Sequence, residues 1–98
     1  MAKKKICDIT IKGQKYKVFK APNNKDYYGQ TNTEKRTIEI TQERIEETIA
    51  HELLHSYFFE CGLYQYEGDE LLHEVFGHNA SELLKNYNII LKAYKKDK

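Results

Sequence analysis

His51, Glu52 and His55 stand together in "ETIAHELLHSYFFECG", residues 47–62. In a helix, residues four apart lie about 40° apart around the axis and one turn apart along it, so two imidazoles at this spacing address one point in space. That is how a helix offers two ligands to zinc. Glu52 lies about 100° round from His51, near enough to reach a water on the metal without becoming a ligand. Zinc lowers the pKa of its water to near 7, and a carboxylate so placed takes the proton and passes it to a leaving amine. With four His and eleven Glu in the chain, a shuffled sequence contains H-E-x-x-H in roughly 1% of cases, so coincidence explains the motif poorly.

A catalytic zinc takes three protein ligands and keeps a fourth position open. The candidates for the third are Glu70, His73, Glu74 and His78, all in "DELLHEVFGH". If two helices form a hairpin over a short loop, a residue one to two turns into the second is level with His55, which favours His73 or Glu74. His73 lies nearer the apolar stripe of that helix, while Gly77 and Ser81 leave room beside Glu74. Spacing leaves the two open.

These residues need elements to carry them. Up to about residue 41 apolar residues alternate, as in "ICDITIKG" and "KYKVFK" around a turn at Gly13, and again in "DYYGQTN" and "RTIEIT". That pattern predicts a small antiparallel sheet of three to four strands over about 5–41. From Gln42 the period changes. Ile45, Ile49, Leu53, Tyr57 and Cys61 recur every four residues, with Ala50, Leu54 and Phe58 widening the stripe, Thr41 as N-cap and Gly62 as terminating glycine. This predicts the HExxH helix over about 42–61, with the histidines on the edge of its apolar stripe, as on a cleft wall. A second helix follows over about 69–94, with Asp69 as N-cap and Leu72, Phe76, Leu83, Tyr87, Ile90 and Tyr94 as its stripe. The fold class is α+β, sheet first and helical hairpin after, in one domain over 1–98.

Composition narrows the function. Sixteen Lys+Arg against fifteen Asp+Glu give a net charge of +1, without the basic excess of a nucleic-acid binder. The lysines at 3–5 and 95–98 read as solvated ends. No apolar run approaches the length needed to span a membrane, and no apolar segment of a signal peptide follows the basic start. The expectation is a cytoplasmic monomer with Cys7 and Cys61 as free thiols. Eight tyrosines read chiefly as packing.

The run from "YYGQTNTEKRTIEI" through "ETIAHELLHSYFFECGL" to "DELLHEVFGHNASELL", about residues 28–86, resembles the small gluzincin-type metallopeptidase domains of the ImmA/IrrE kind, especially the compact forms of phages and mobile elements. The resemblance implies a short antiparallel sheet before the HExxH helix and an acidic third ligand on the second helix. By that likeness His51, His55 and Glu74 are the Zn2+ ligands and Glu52 the general base, with Glu70 matching a further acidic position. The helix-turn-helix that some larger members carry has no counterpart here, so operator binding is not expected.

The expected activity is therefore zinc-dependent hydrolysis of a protein or peptide, with a specific regulatory protein as substrate. Ile38–Thr41 is either an ordinary strand or the sheet edge on which an extended substrate adds as a strand, and His78 or one of Tyr57, Tyr64 and Tyr66 is the candidate to stabilise the oxyanion. The alternative is a zinc-binding interaction module with the same fold, silent or latent because the tail after Ile90 lies across the cleft. A metal-free interaction protein built on the helical hairpin is a third reading.

Overall fold

A computed structural model of the chain describes residues 3–62 and 69–97, and for 69–75 the helical backbone alone. Four strands, β1 (Lys4–Ile11), β2 (Gln14–Lys20), β3 (Gly29–Asn32) and β4 (Thr37–Ile40), precede two helices, α1 (Ile45–Glu60) and α2 (Asp69–Lys96). The arrangement is α+β, as the change of period predicts.

β1 and β2 form an antiparallel hairpin in which Ile11 pairs with Gln14. The two residues between them, Lys12 and Gly13, both have positive φ, 49° and 83°. That is the type I′ turn, whose twist matches that of the strands it joins, and glycine makes its second position inexpensive.

Along the sheet the order is β1-β2-β4-β3. β3 and β4 are antiparallel, but β2 and β4 run parallel, with Lys17 opposite Thr37 and Lys20 opposite Ile40. The sheet is thus mixed, and the expectation of a wholly antiparallel sheet is corrected at this one pair. β4, with Ile38 and Ile40 fully buried, lies inside the sheet, and β3, whose Gly29-Gln30-Thr31-Asn32 offers no large apolar side chain, lies at one edge. β1 is the other edge although Ile9 and Ile11 are as deeply buried, so burial on the inner face does not set the strand order. Alternation in sequence reports which face a residue occupies, not which neighbour its strand pairs with.

One face of the sheet carries Ile9, Ile11, Tyr16, Val18, Ile38 and Ile40, and these meet Ile49, Leu53 and Tyr57 of α1 and Leu83, Ile90 and Tyr94 of α2 in one core. Asp8, Thr10, Lys15 and Lys17 on the opposite face are exposed. Each large side chain so buried contributes about 1.5–3 kcal/mol.

α1 begins at Ile45, with Arg44 in the left-handed conformation at the N-cap position and no side-chain cap, and not at Gln42 after Thr41. Thr41 is otherwise engaged: its N–H and its hydroxyl both donate to the Tyr28 carbonyl, at 2.9 and 2.6 Å, extending the β3–β4 ladder by one pair. The helix ends as the sequence implies, with Gly62 at φ 74° and its N–H donating to the Phe59 carbonyl. The left-handed conformation that closes a helix this way is one glycine adopts without penalty.

α2 is anchored along its C-terminal half. Asn86 donates to the Thr10 carbonyl and to the Tyr57 hydroxyl, and Glu82 accepts from the Lys12 N–H and from the Tyr57 hydroxyl. Tyr94 donates to the Thr41 carbonyl, and Asp97 pairs with Lys4 and Lys20. The residues after Ile90 are therefore the last turns of a helix docked on the sheet. Phe76, expected in the apolar stripe, is 45% exposed, and the side chain of Leu72 lies outside the described residues. Both cysteines are free and half-buried. Among the described residues no helix is long and apolar enough to cross a membrane.

Candidate metal centre

α1 turns Ile49, Leu53 and Tyr57 into the core, and Glu52, about 100° round the axis from Leu53, is buried with them, 5% exposed. His51 and His55, two residues either side of Leu53 and about 160° from it, lie on the side of the helix turned away from that stripe and are exposed. The rings stand at 80° with centroids 4.5 Å apart, and their Nε2 atoms are 2.9 Å from each other. At that distance one ring nitrogen can donate its N–H to the other, the tautomers setting which. Tetrahedral zinc with bonds of ~2.0–2.1 Å holds two nitrogens about 3.3 Å apart. Opening the pair by a few tenths of an ångström, within the reach of side-chain torsions on an exposed helix face, brings both to that spacing. The donor set suits zinc in chemistry and direction.

Glu52 is held by the edge strand. Thr31 donates its hydroxyl to Glu52 Oε1 at 2.6 Å, and Ser56 donates to the Glu52 carbonyl one turn on. Gly29 explains how β3 comes so near: a Cβ there would lie 2.4 Å from Thr48 Cγ2 and 3.1 Å from Glu52 Cγ. Only a residue without a side chain permits that approach. Neither Gly29 nor Thr31 was among the expected site residues. The glycine inside "YYGQTN" was the available signal, since a strand glycine marks close approach of another element.

Two hollows open on either side of this pair and share Gly29, His51 and Glu52. One, of about 320 Å³, continues to Tyr27, Tyr28, Arg44 and Thr48, and the other, of about 470 Å³, continues to Thr31, Thr33, His55 and Phe59. Arg44 bounds the first with its guanidinium 5.3 Å from the centre of the Tyr28 ring. The two hollows form a groove along β3 with the histidines on its wall. None of residues 90–97 lines it.

The sheet edge on this groove is β3. Of the two readings of Ile38–Thr41, an ordinary strand or the substrate edge, the structure has the first: it is interior strand β4 and its extension. The Tyr28–Thr41 pair is hydrogen-bonded, and antiparallel ladders alternate, so Gln30 and Asn32 also face β4. The N–H and C=O groups of Gly29 and Thr31 then point outward along the groove.

Of the expected third ligands, Glu70, His73 and Glu74 lie on the described backbone of α2, but their side chains are outside the described residues. His78 is exposed and lines neither hollow. Among the described residues no group of three or more His, Cys, Asp or Glu gathers around one point. The described part of the set is the histidine pair with Glu52 beside it. Tyr57 is removed as an oxyanion donor, being fully buried with its hydroxyl committed to Glu82. Burial first, and then the Glu82 carboxylate, raise its pKa above the ordinary phenol value. Tyr64 and Tyr66 lie outside the described residues. No family model, curated protein or solved structure matches the chain, so its site is read from its own residues.

Proposed function

We infer that the chain is a zinc-dependent metallopeptidase that acts in the cytoplasm on extended segments of protein substrates. One observation carries this reading: two imidazole nitrogens converge at 2.9 Å beside a buried carboxylate, in a groove bounded by a sheet edge. His51 and His55 would hold the metal, and the resemblance supplies Glu74 as the third ligand. Bound zinc contributes Lewis acidity toward water and the scissile carbonyl. The chain's own residues do the rest. Gly29 and Thr31 receive an extended peptide on their outward backbone groups, which lays it over the histidine pair. Glu52 takes the proton of the attacking water and returns it to the amide nitrogen as the C–N bond breaks.

The test is metal content after purification without chelator, together with digestion of an unfolded protein such as β-casein by the native chain and by Glu52→Gln. The expected outcome is one zinc per chain, cleavage by the native chain and cleavage about 10²–10⁴-fold slower by the variant. Cleavage that persists undiminished in the variant excludes Glu52 as the base. One equivalent of zinc without any cleavage leaves the alternative, a zinc-binding interaction module.

A further inference from the structure

Thr31 is the residue at which the substrate-receiving edge and the candidate base meet. Its backbone N–H and C=O point outward from β3, by the alternation that begins at Tyr28–Thr41. Its side chain stands off the sheet toward α1, with Oγ1 2.6 Å from Glu52 Oε1 and 3.4 Å from the Glu52 carbonyl oxygen. Among the described residues it is the hydrogen-bond partner of that carboxylate. A glutamate side chain has three torsions, so a carboxylate at the end of it needs an outside contact to hold one direction. Gly29, two residues earlier, keeps β3 close enough to α1 for the contact to form.

We propose that Thr31 is a positioning residue which pairs an extended substrate through its backbone and, through its hydroxyl, aims the Glu52 carboxylate. The hydrogen bond occupies Oε1, and Oε2 is the oxygen left to receive the proton from water. Substrate pairing stiffens β3 and with it the direction of the base, so the base is best aligned when a peptide lies on the edge. This deepens the peptidase reading and rests on it.

Thr31→Val keeps the backbone and the approximate shape of the side chain and removes the hydroxyl. Substrate pairing survives and the aim of the carboxylate does not. With zinc-loaded protein and a quenched fluorogenic peptide spanning a site cut in β-casein, kcat should fall ~10–100-fold in Thr31→Val while KM stays within about twofold. Thr31→Ser, which restores the donor, should return kcat to within about threefold of native. Residues that act as a unit are not additive, so Thr31→Val should cost nothing further in the Glu52→Gln background. Zinc affinity, read by competition with a chelator, should be the same in all of these. In the zinc-free protein the carboxyl carbon resonance of Glu52 should move in Thr31→Val and hold its place in Thr31→Ser. A kcat within about twofold of native in Thr31→Val, or Thr31→Ser as slow as Thr31→Val, overturns the proposal. So does a Glu52 carboxyl resonance that Thr31→Val leaves in place. If native protein with zinc bound cuts nothing, the peptidase reading falls, and the carboxyl resonance alone decides whether Thr31 holds Glu52.

Discussion

At the scale of single residues, the site divides labour between groups with different exposure. His51 and His55 are open to solvent, while Glu52 is shielded and tied to Thr31. Truncating either histidine to Ala should abolish stoichiometric zinc, measured by metal analysis of the purified variant. Glu52→Gln should keep the zinc and lower kcat/KM by about 10²–10⁴-fold, the range for loss of a general acid–base. The third ligand is decided by a pair of variants assayed for zinc affinity. Glu74→Gln should weaken binding about 100-fold or more, as loss of an anionic ligand does, and His73→Asn should leave it near native. The reverse pattern assigns the position to His73.

At the scale of elements, the contact of β3 with α1 governs the groove. Gly29→Ala sets a methyl 2.4 Å from Thr48 Cγ2. Thr48 is β-branched and in a helix, with little rotamer freedom to give way, so the strand itself has to move. Overpacking of this kind costs about 1–3 kcal/mol, and each kcal/mol lowers the melting temperature of a domain this size by roughly 4–8 °C. Thermal unfolding should show that loss, and on the proposed peptidase reading cleavage should fall with it, because that reading gives β3 both substrate pairing and Thr31. Leu53→Ala provides the comparison: it opens a cavity in the core for about 2–5 kcal/mol without altering a group on the groove.

At the scale of the whole molecule, a half-buried ionic cluster fastens the far end of α1 to the sheet. Glu60 accepts from Arg36 Nε at 2.9 Å and from the Tyr16 hydroxyl, which joins α1, the β3–β4 turn and β2. Burial alone would raise the Glu60 pKa, but the Arg36 and Tyr16 hydrogen bonds outweigh it, and the group lies below its ordinary value. A carboxylate whose folded pKa is depressed adds stability above its unfolded value, and that share is lost as pH falls through the folded one. Denaturant unfolding between pH 7 and pH 3 should therefore show native protein losing stability on acidification. Glu60→Gln should begin lower and vary less over the same range. Equal pH dependence in the two would remove Glu60 from the acid response.

The sequence by itself determined the two helices, the terminating turn at Gly62, the hairpin at Gly13 and the pairing of His51 with His55. All of these follow from local periodicity or from glycine's freedom at positive φ, which act over a few residues and need no distant partner. The tertiary structure decided what depends on partners far along the chain. It set β4 between β2 and β3 and so ran β2 and β4 parallel, and it drew Thr41 from the helix cap to the Tyr28 carbonyl. It made β3 the groove edge and brought Thr31 against Glu52, 21 residues away, across a glycine that leaves room for the approach. A polar residue in a short strand carries no mark of the carboxylate it will meet, because that meeting is set by the packing of a sheet edge on a helix.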